Sequence, residues 1–250
     1  MRTIELNTIY NEDCLEGMKR IPDKSIDMIL CDLPYGTTRN QWDSVIPLEP
    51  LWEQYERIIK DNGAIVLTAQ TPFDKILGAS NLKYLKYEWI WQKNKATGHL
   101  NAKKMPMKSH ENVLVFYKKL PTYNPQGLIK KEKPTINKGS RGVKPQGAGG
   151  GNYGKSDKDA IQTHEGYPKD ILMFNVVMRP EHPTQKPVPL FEYLIKTYTN
   201  EGETVLDNCM GSGTTAIAAI NTNRNFIGFE LDETYYNLSL QRIAEVKKCN

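Results

Sequence analysis

Residues 204–215 read TVLDNCMGSGTT, and AIAAI follows at 216–220. A short apolar run ends at Asp207, Gly211 and Gly213 open a turn, and small apolar residues continue as a helix from about Thr214. Glycine lets a backbone take positive φ and pass close to a ligand. A helix that starts at such a turn offers free N–H groups to a carboxylate or phosphate. The next apolar run, NFIGFE at 225–230, ends at Glu230, 23 residues after Asp207. An acid at that strand end is placed to accept from ribose hydroxyls. Strand, glycine turn, helix and strand make one unit of a parallel α/β sheet. Gly213 is followed by Thr214, Thr215 and Ala216, so the spacing is not G-x-G-x-x-G. No G-K-[ST] follows either, so this is no phosphate loop. Alone, the stretch reads as a nucleotide site or as a plain strand-to-helix turn.

Working outward, strands are expected at 26–31, 63–69, 86–92, 112–118, 204–207 and 225–230, and helices at 14–21, 48–60, 72–80, 187–198, 214–221 and 232–248. In 48–60 the residues Leu51, Tyr55, Ile58 and Ile59 share one face, and Gly63 marks the end. The alternation predicts a mostly parallel, twisted sheet with helices on both faces. Ligands of such sheets gather at the carboxyl ends of the strands. At one of these ends, just after SIDMIL, stands CDLPYGTT at 31–38. Another short stretch, HPTQKPVPLFEYLIKTYT at 182–199, leads through Pro187 into an amphipathic helix, with Thr184 and Lys186 beside its start.

The chain has 250 residues, 39% of them hydrophobic, enough for one large domain or one domain with an insertion. No run of about 18 apolar residues occurs, and the first residues lack the apolar stretch of a secretory signal. Cys14, Cys31, Cys209 and Cys249 lie far apart in sequence, which argues against a zinc site or a disulfide framework and fits a cytoplasmic chain. The net charge is +4, unevenly spread. Residues 118–158 carry ten Lys/Arg and two Asp/Glu, a balance of +8 that leaves the remainder at −4. A basic segment on a slightly acidic body suggests a polyanionic partner, or simply a solvated loop. From about 120 to 168 there is little periodicity and much glycine, including GAGGGNYG at 147–154. This reads as an irregular insertion.

Together these stretches resemble the S-adenosylmethionine-dependent DNA amino-methyltransferases. DLPYG resembles the family's catalytic D-P-P-Y, DNCMGSGTT its cofactor motif D-P-F-x-G-S-G-T-T, and HPTQKP its helix-entry motif. The segment WQK…HENVLVFYK at 91–118 also looks like theirs. The order of these motifs resembles the permuted β class, and the likeness covers nearly the whole chain outside 120–168. It implies a Rossmann-like fold in which 1–119 and 169–250 form the catalytic and cofactor-binding domain and 120–168 a DNA target-recognition insertion. Leu33 stands where the family has its first proline, and Asn208-Cys209 where it has Pro-Phe.

The resemblance implies S-adenosylmethionine as cofactor, held by Asp13, Cys14, Asp32, Thr184, Lys186, Asp207, Asn208, Gly211, Gly213, Thr214, Thr215 and Glu230. Asp13 has a second reading as a helix N-cap. Asn208 is expected either to bond the cofactor or to cap the turn. Asp32, Leu33, Pro34 and Tyr35 are the expected catalytic group. The exocyclic amine of a base is a poor nucleophile, because its lone pair is delocalised into the ring. Acceptors at Asp32 and at the Leu33 carbonyl free that lone pair, Pro34 fixes the backbone, and Tyr35 stacks on a flipped base. Asp rather than Ser in this motif implies adenine N6 over cytosine N4. A non-catalytic DNA-binding module and an NAD-dependent oxidoreductase are the readings from other classes. Duplex DNA is the expected partner, with Lys130, Lys131, Lys133, Lys138, Arg141 and Lys144 on phosphates and Gln126, Asn137, Gln146 and Asn152 as base readers. No membrane and no metal is implied, a homodimer is allowed, and some members belong to restriction–modification systems. Trp89, Trp91 and Phe116 are expected in the core.

Overall fold

The computed structural model describes residues 3–36, 44–138 and 159–249. Its strands are β1 (Thr8–Asn11), β2 (Ile26–Asp32), β3 (Ile59–Ala69), β4 (Leu85–Thr97), β5 (Lys108–Phe116), β6 (Ile129–Asn137), β7 (Ala160–Glu165), β8 (Ile171–Phe174), β9 (Thr204–Asp207) and β10 (Asn225–Glu230). Its α-helices are α1 (Cys14–Met18), α2 (Leu48–Ile58), α3 (Phe73–Ser80), α4 (Val188–Tyr198), α5 (Thr214–Asn221) and α6 (Glu233–Cys249).

Residues 1–124 and 170–250 form one unit, and 125–169 a second. The first holds an eight-stranded sheet in the order β1-β10-β9-β2-β3-β5-β4-β8. Every neighbouring pair is parallel except β3–β5 and β5–β4, where β5 runs against both. The central strands are apolar on both faces because both are covered. Met28, Leu30, Ala64, Val66, Val113 and Val115 pack with Leu190, Phe191, Leu194 and Ile195 of α4 and with Ala216 and Ile217 of α5. The alternate residues, Ile29, Cys31, Ile65, Leu67, Leu114 and Phe116, pack with Met18 of α1, Leu51, Trp52 and Tyr55 of α2 and Phe73 and Leu77 of α3. Trp89, Trp91 and Phe116 are buried, as expected.

Three local expectations need correction. The strand after α2 begins at Ile59, so Gly63 lies inside β3 rather than ending the helix. It sits at a register shift against β2, where a Cβ would lie 2.8 Å from the Asp27 carbonyl oxygen. Helix α1 stops at Met18, three residues early. The region 120–168 is not irregular throughout, because in the second unit β6 and β7 pair as an antiparallel ribbon. Most ribbon side chains are exposed, Ile129, Ile136 and Ile161 among them, so no burial pattern betrays it in the sequence.

Candidate active site

The inward alternation that builds the core ends in charge. On the α4 face β2 runs Met28, Leu30, Asp32; β3 runs Ala64, Val66, Thr68; β4 runs Trp89, Trp91, Lys93; and β5, read backwards, runs Val115, Val113, Glu111. The register sets Asp32 beside Thr68 and Trp91 beside Glu111, so the four polar ends form a row across the sheet. Lys186 arrives over this row immediately before Pro187, the N-cap of α4. Its Nζ lies 2.5 Å from Asp32 Oδ2 and 3.4 Å from Glu111 Oε2. Lys93 Nζ bonds Glu111 Oε1. Asp32 Oδ1 accepts from the Tyr35 hydroxyl at 2.6 Å and from the Thr68 hydroxyl.

Lys186 and Glu111 hold each other ionised. Burial opposes the Lys186 ammonium, but Asp32 and Glu111 outweigh it and raise its pKa. Burial likewise opposes ionised Glu111, yet Lys186 and Lys93 bring its pKa below the usual value. The Tyr35 phenol is pushed well above 10, first by burial and then by Asp32. Its ring stacks on Phe73 with centroids 5.4 Å apart, and Lys186 Nζ lies 5.6 Å from the ring centre. Leu33 buries its side chain among the α1–α3 residues, so its departure from proline is absorbed by packing.

The glycine turn lies at the ends of β9 and β10. Gly211 and Gly213 take φ of +51° and +82°, as the sequence requires of them. The Gly211 N–H donates to Glu230 Oε2 at 2.7 Å, and the Asp232 N–H to Oε1 at 2.8 Å. Burial raises the Glu230 pKa. Asp207 is 3% exposed and turned inward, with Oδ1 accepting from the Cys209 N–H at 3.0 Å and Oδ2 from the Thr215 hydroxyl. Burial pushes its pKa to about 6. Asn208 accepts from the Tyr55 hydroxyl at 2.5 Å and points its amide nitrogen at the Cys14 and Cys209 sulfurs, 3.6 and 3.5 Å away. Asp13 is an N-cap, its Oδ1 accepting from the Leu15 and Glu16 N–H groups. The Thr214 hydroxyl reaches the Lys186 carbonyl at 3.4 Å, tying the glycine turn to the entry of α4.

One cavity of about 540 Å³ joins the two ends. Asp32, Leu33, Pro34 and Tyr35 line it together with Asp13, Cys14, Thr184, Lys186, Asp207, Asn208, Gly211, Thr214, Thr215 and Glu230. Its volume, the α5 N-terminus and the carboxylates among its lining residues suit an adenosine carrying an amino-acid tail, the shape of S-adenosylmethionine. Backbone N–H groups of Gly211 and Asp232 fix the two Glu230 oxygens at the edge of this cavity.

The chain matches the family of DNA methylases acting at N6 and N4 amines over residues 26–241. It belongs to that family. Over 258 residues this methylase is 28% identical to the DNA adenine methyltransferase YhdJ of Escherichia coli K12, covering 96% of this chain and 83% of the relative. Its fold matches the M1.HpyAVI–SAM complex with a TM-score of 0.63 at 24% identity, covering 94% and 98% of the two chains. It also matches the cytosine-N4-specific PvuII DNA methyltransferase with a TM-score of 0.68 at 16% identity, covering 98% and 93%.

The structure thus brings the expected catalytic stretch and nearly all the expected cofactor residues to one cavity of the methylase. It also shows what the sequence reading passed over. Glu111 and Lys93 continue the inward alternation of Val115/Val113 on β5 and Trp89/Trp91 on β4, and that parity is the available signal. His182, Asp232 and Tyr235 line the cavity as well. The His182 ring packs edge-on against Tyr235 at 4.0 Å, and burial lowers its pKa to about 4, so it is neutral at pH 7. Cys14, Cys31 and Cys209, distant in sequence, share hydrogen bonds under the turn, and burial pushes the Cys31 thiol up to about 12. No metal-binding cluster occurs among the described residues. Among them, too, no helix is long and apolar enough to cross a membrane.

Of the expected DNA contacts, Lys130, Lys131 and Lys133 stand on β6 and Lys138 just beyond it. Asn137 ends β6, and Lys131 donates to the Thr135 hydroxyl at 2.7 Å. Arg141, Lys144, Gln146 and Asn152 lie outside the described residues.

Proposed function

We propose that this methylase transfers a methyl group from S-adenosylmethionine to adenine N6 in duplex DNA after the base leaves the helix. The observation that carries the reading is the shared cavity: Asp32 and the glycine turn, 175 positions apart from Asp32 to Asp207, line the same space. Adenine is favoured by the Asp of D-L-P-Y and by the likeness to a DNA adenine methyltransferase.

When bound, the donor would supply an electrophilic methyl on a sulfonium: the amine lone pair would form the new N–C bond, the C–S electron pair would stay on sulfur, and the surplus amine proton would leave to solvent. Asp32 accepts a hydrogen bond from the target amine and keeps the lone pair of that nitrogen available. The Leu33 carbonyl, held ahead of Pro34, is the second acceptor. Glu230 accepts from the ribose, and Asp13 and Cys14 line the end toward α1. Tyr35 is stacked on Phe73, with Lys186 Nζ 5.6 Å from its ring centre, and it lines the cavity that would receive the base. Positioning and fixed charge supply the rate, and opening the base pair costs about a few kcal/mol.

The ribbon is the proposed DNA contact. A two-stranded β-ribbon fits the major groove, and Lys130, Lys131, Lys133 and Lys138 would take phosphates. Replacing Lys130, Lys131 and Lys133 together should flatten the salt dependence of log Kd for duplex DNA by about 2–3 units of slope while donor binding stays unchanged. An unaltered slope removes the ribbon from the interface.

The deciding experiment incubates the protein with S-adenosylmethionine and unmethylated duplex DNA and sequences the product for modified bases. N6-methyladenine at a defined site is expected. N4-methylcytosine would select the second base, because a carboxylate accepts from either amine. No modification, with DNA bound, would leave a binding module.

A further inference from the structure

A buried cation between two carboxylates can pass from one to the other, and the polar row at the ends of β2, β4 and β5 has the parts for such a transfer. Lys186, 5% exposed, holds Asp32 Oδ2 at 2.5 Å and stands 3.4 Å from Glu111 Oε2. Glu111 Oε1 is occupied by Lys93. Oε2 is buried and makes no hydrogen bond among the described residues. The Asp32 Oδ1 atom already accepts from Tyr35 and Thr68. Oδ2, the oxygen held by Lys186, is therefore the one left to meet a target amine. Freeing it leaves an ammonium in a buried site, where an unpaired charge is strongly unfavourable.

We propose that Glu111 is a positioning residue for methyl transfer: its Oε2 takes up Lys186 as Asp32 Oδ2 turns to the target amine, while Lys93 holds Glu111 in place. This rests on the reading of Asp32 as the amine acceptor. Closing 3.4 Å to a charge-assisted bond of about 2.8 Å needs a shift well under an ångström. Asp32, Glu111, Lys93 and Lys186 sum to zero charge, so the hand-over moves no net charge into the core. No covalent bond changes and no proton is transferred.

The test compares Glu111→Gln and Glu111→Asp with the unaltered protein, in single-turnover and steady-state methylation of duplex DNA. Thermal unfolding checks folding, and calorimetry checks S-adenosylmethionine binding. Glu111→Gln keeps the shape and loses the charge. It should slow transfer about 10- to 100-fold, with KM for DNA and Kd for the donor within about threefold of the original. Glu111→Asp should lie between the two. In a Lys186→Met background, Glu111→Gln should change the rate less than about threefold, because there is no cation left to receive. The inference is overturned by a Glu111→Gln protein at full rate, by a loss carried wholly in KM or Kd, or by an equal loss without Lys186. Should Glu111→Gln not fold, Glu111→Asp decides: slower transfer at unchanged KM supports the inference, and full rate overturns it. An active Asp32→Asn protein would be a failure of the underlying reading. Inactive Asp32→Asn beside fully active Glu111→Gln would be a failure of this inference alone.

Discussion

Asp32 and Asp207 end neighbouring strands and line one cavity, yet they are held in opposite ways. Among the described residues Asp207 accepts from neutral donors, the Cys209 N–H, the Thr215 hydroxyl and the Cys31 thiol, and its pKa rises to about 6. Asp32 has two hydroxyl donors and, in addition, the Lys186 ammonium. Neutral donors offset only part of the desolvation of a carboxylate's charge. A buried cation offsets it and must itself be partnered. The glycine turn is therefore a fixed brace, and the Asp32 end a charge-balanced set that can rearrange.

The largest effect expected from this contrast comes from Lys186→Met, which turns the Asp32 end into a second Asp207 end. Removing one member of a buried pair should lower stability by about 3–5 kcal/mol in urea unfolding at pH 7–8. The loss should shrink toward pH 4, where the stranded carboxylates take up protons. A loss independent of pH would mean that packing, not charge, holds Lys186.

Next comes Asp207. Its folded pKa, about 6, lies above the ordinary carboxylate value of 3.8, so its contribution is full at low pH and is lost as pH rises through about 6. Relative to Asp207→Asn, which does not titrate, the unaltered protein should lose about 3 kcal/mol of stability between about pH 3.5 and 7, roughly 1.4 kcal/mol for each pH unit of displacement. Parallel stability curves for the two proteins would contradict the assignment. The smallest effect belongs to Thr215→Val. It deletes one neutral donor to Asp207 and should cost about 1–3 kcal/mol above pH 6 and less below it. Equal losses at pH 5 and pH 8 would show that the hydroxyl matters for packing alone.

The contrast also marks how much could be read from the chain. The six long or strongly apolar strands and the six helices were legible, because residues such as Met28/Leu30 and Ile29/Cys31 must bury opposite faces. β1 and β8, four residues each, lack the glycine turn that marks the equally short β9. The ribbon of β6 and β7 faces no core, so Ile129, Ile136 and Ile161 follow no burial pattern. The catalytic stretch and the glycine turn were legible because their chemistry is local. What each acid does was not. Asp207, Asn208 and Asp13 line the cavity as expected, but their observed bonds go to the protein itself, through Thr215, Tyr55 and the start of α1. The partnership of Asp32 with Lys186, 154 positions away, depends on the crossover that brings the entry of α4 over β2. Glu111 and Lys93 show in sequence only as charges that continue the inward alternation of Val115/Val113 and Trp89/Trp91.

The central claim is that Asp32 acts on the target amine inside the cavity that also holds the donor. Asp32→Asn keeps the size of the side chain and removes the carboxylate. Measured side by side, S-adenosylmethionine binding by this variant should stay within about fivefold of the unaltered protein, while single-turnover methylation of duplex DNA falls by about 10²–10³-fold. An Asp32→Asn protein that binds the donor and still methylates DNA at the original rate would contradict the account.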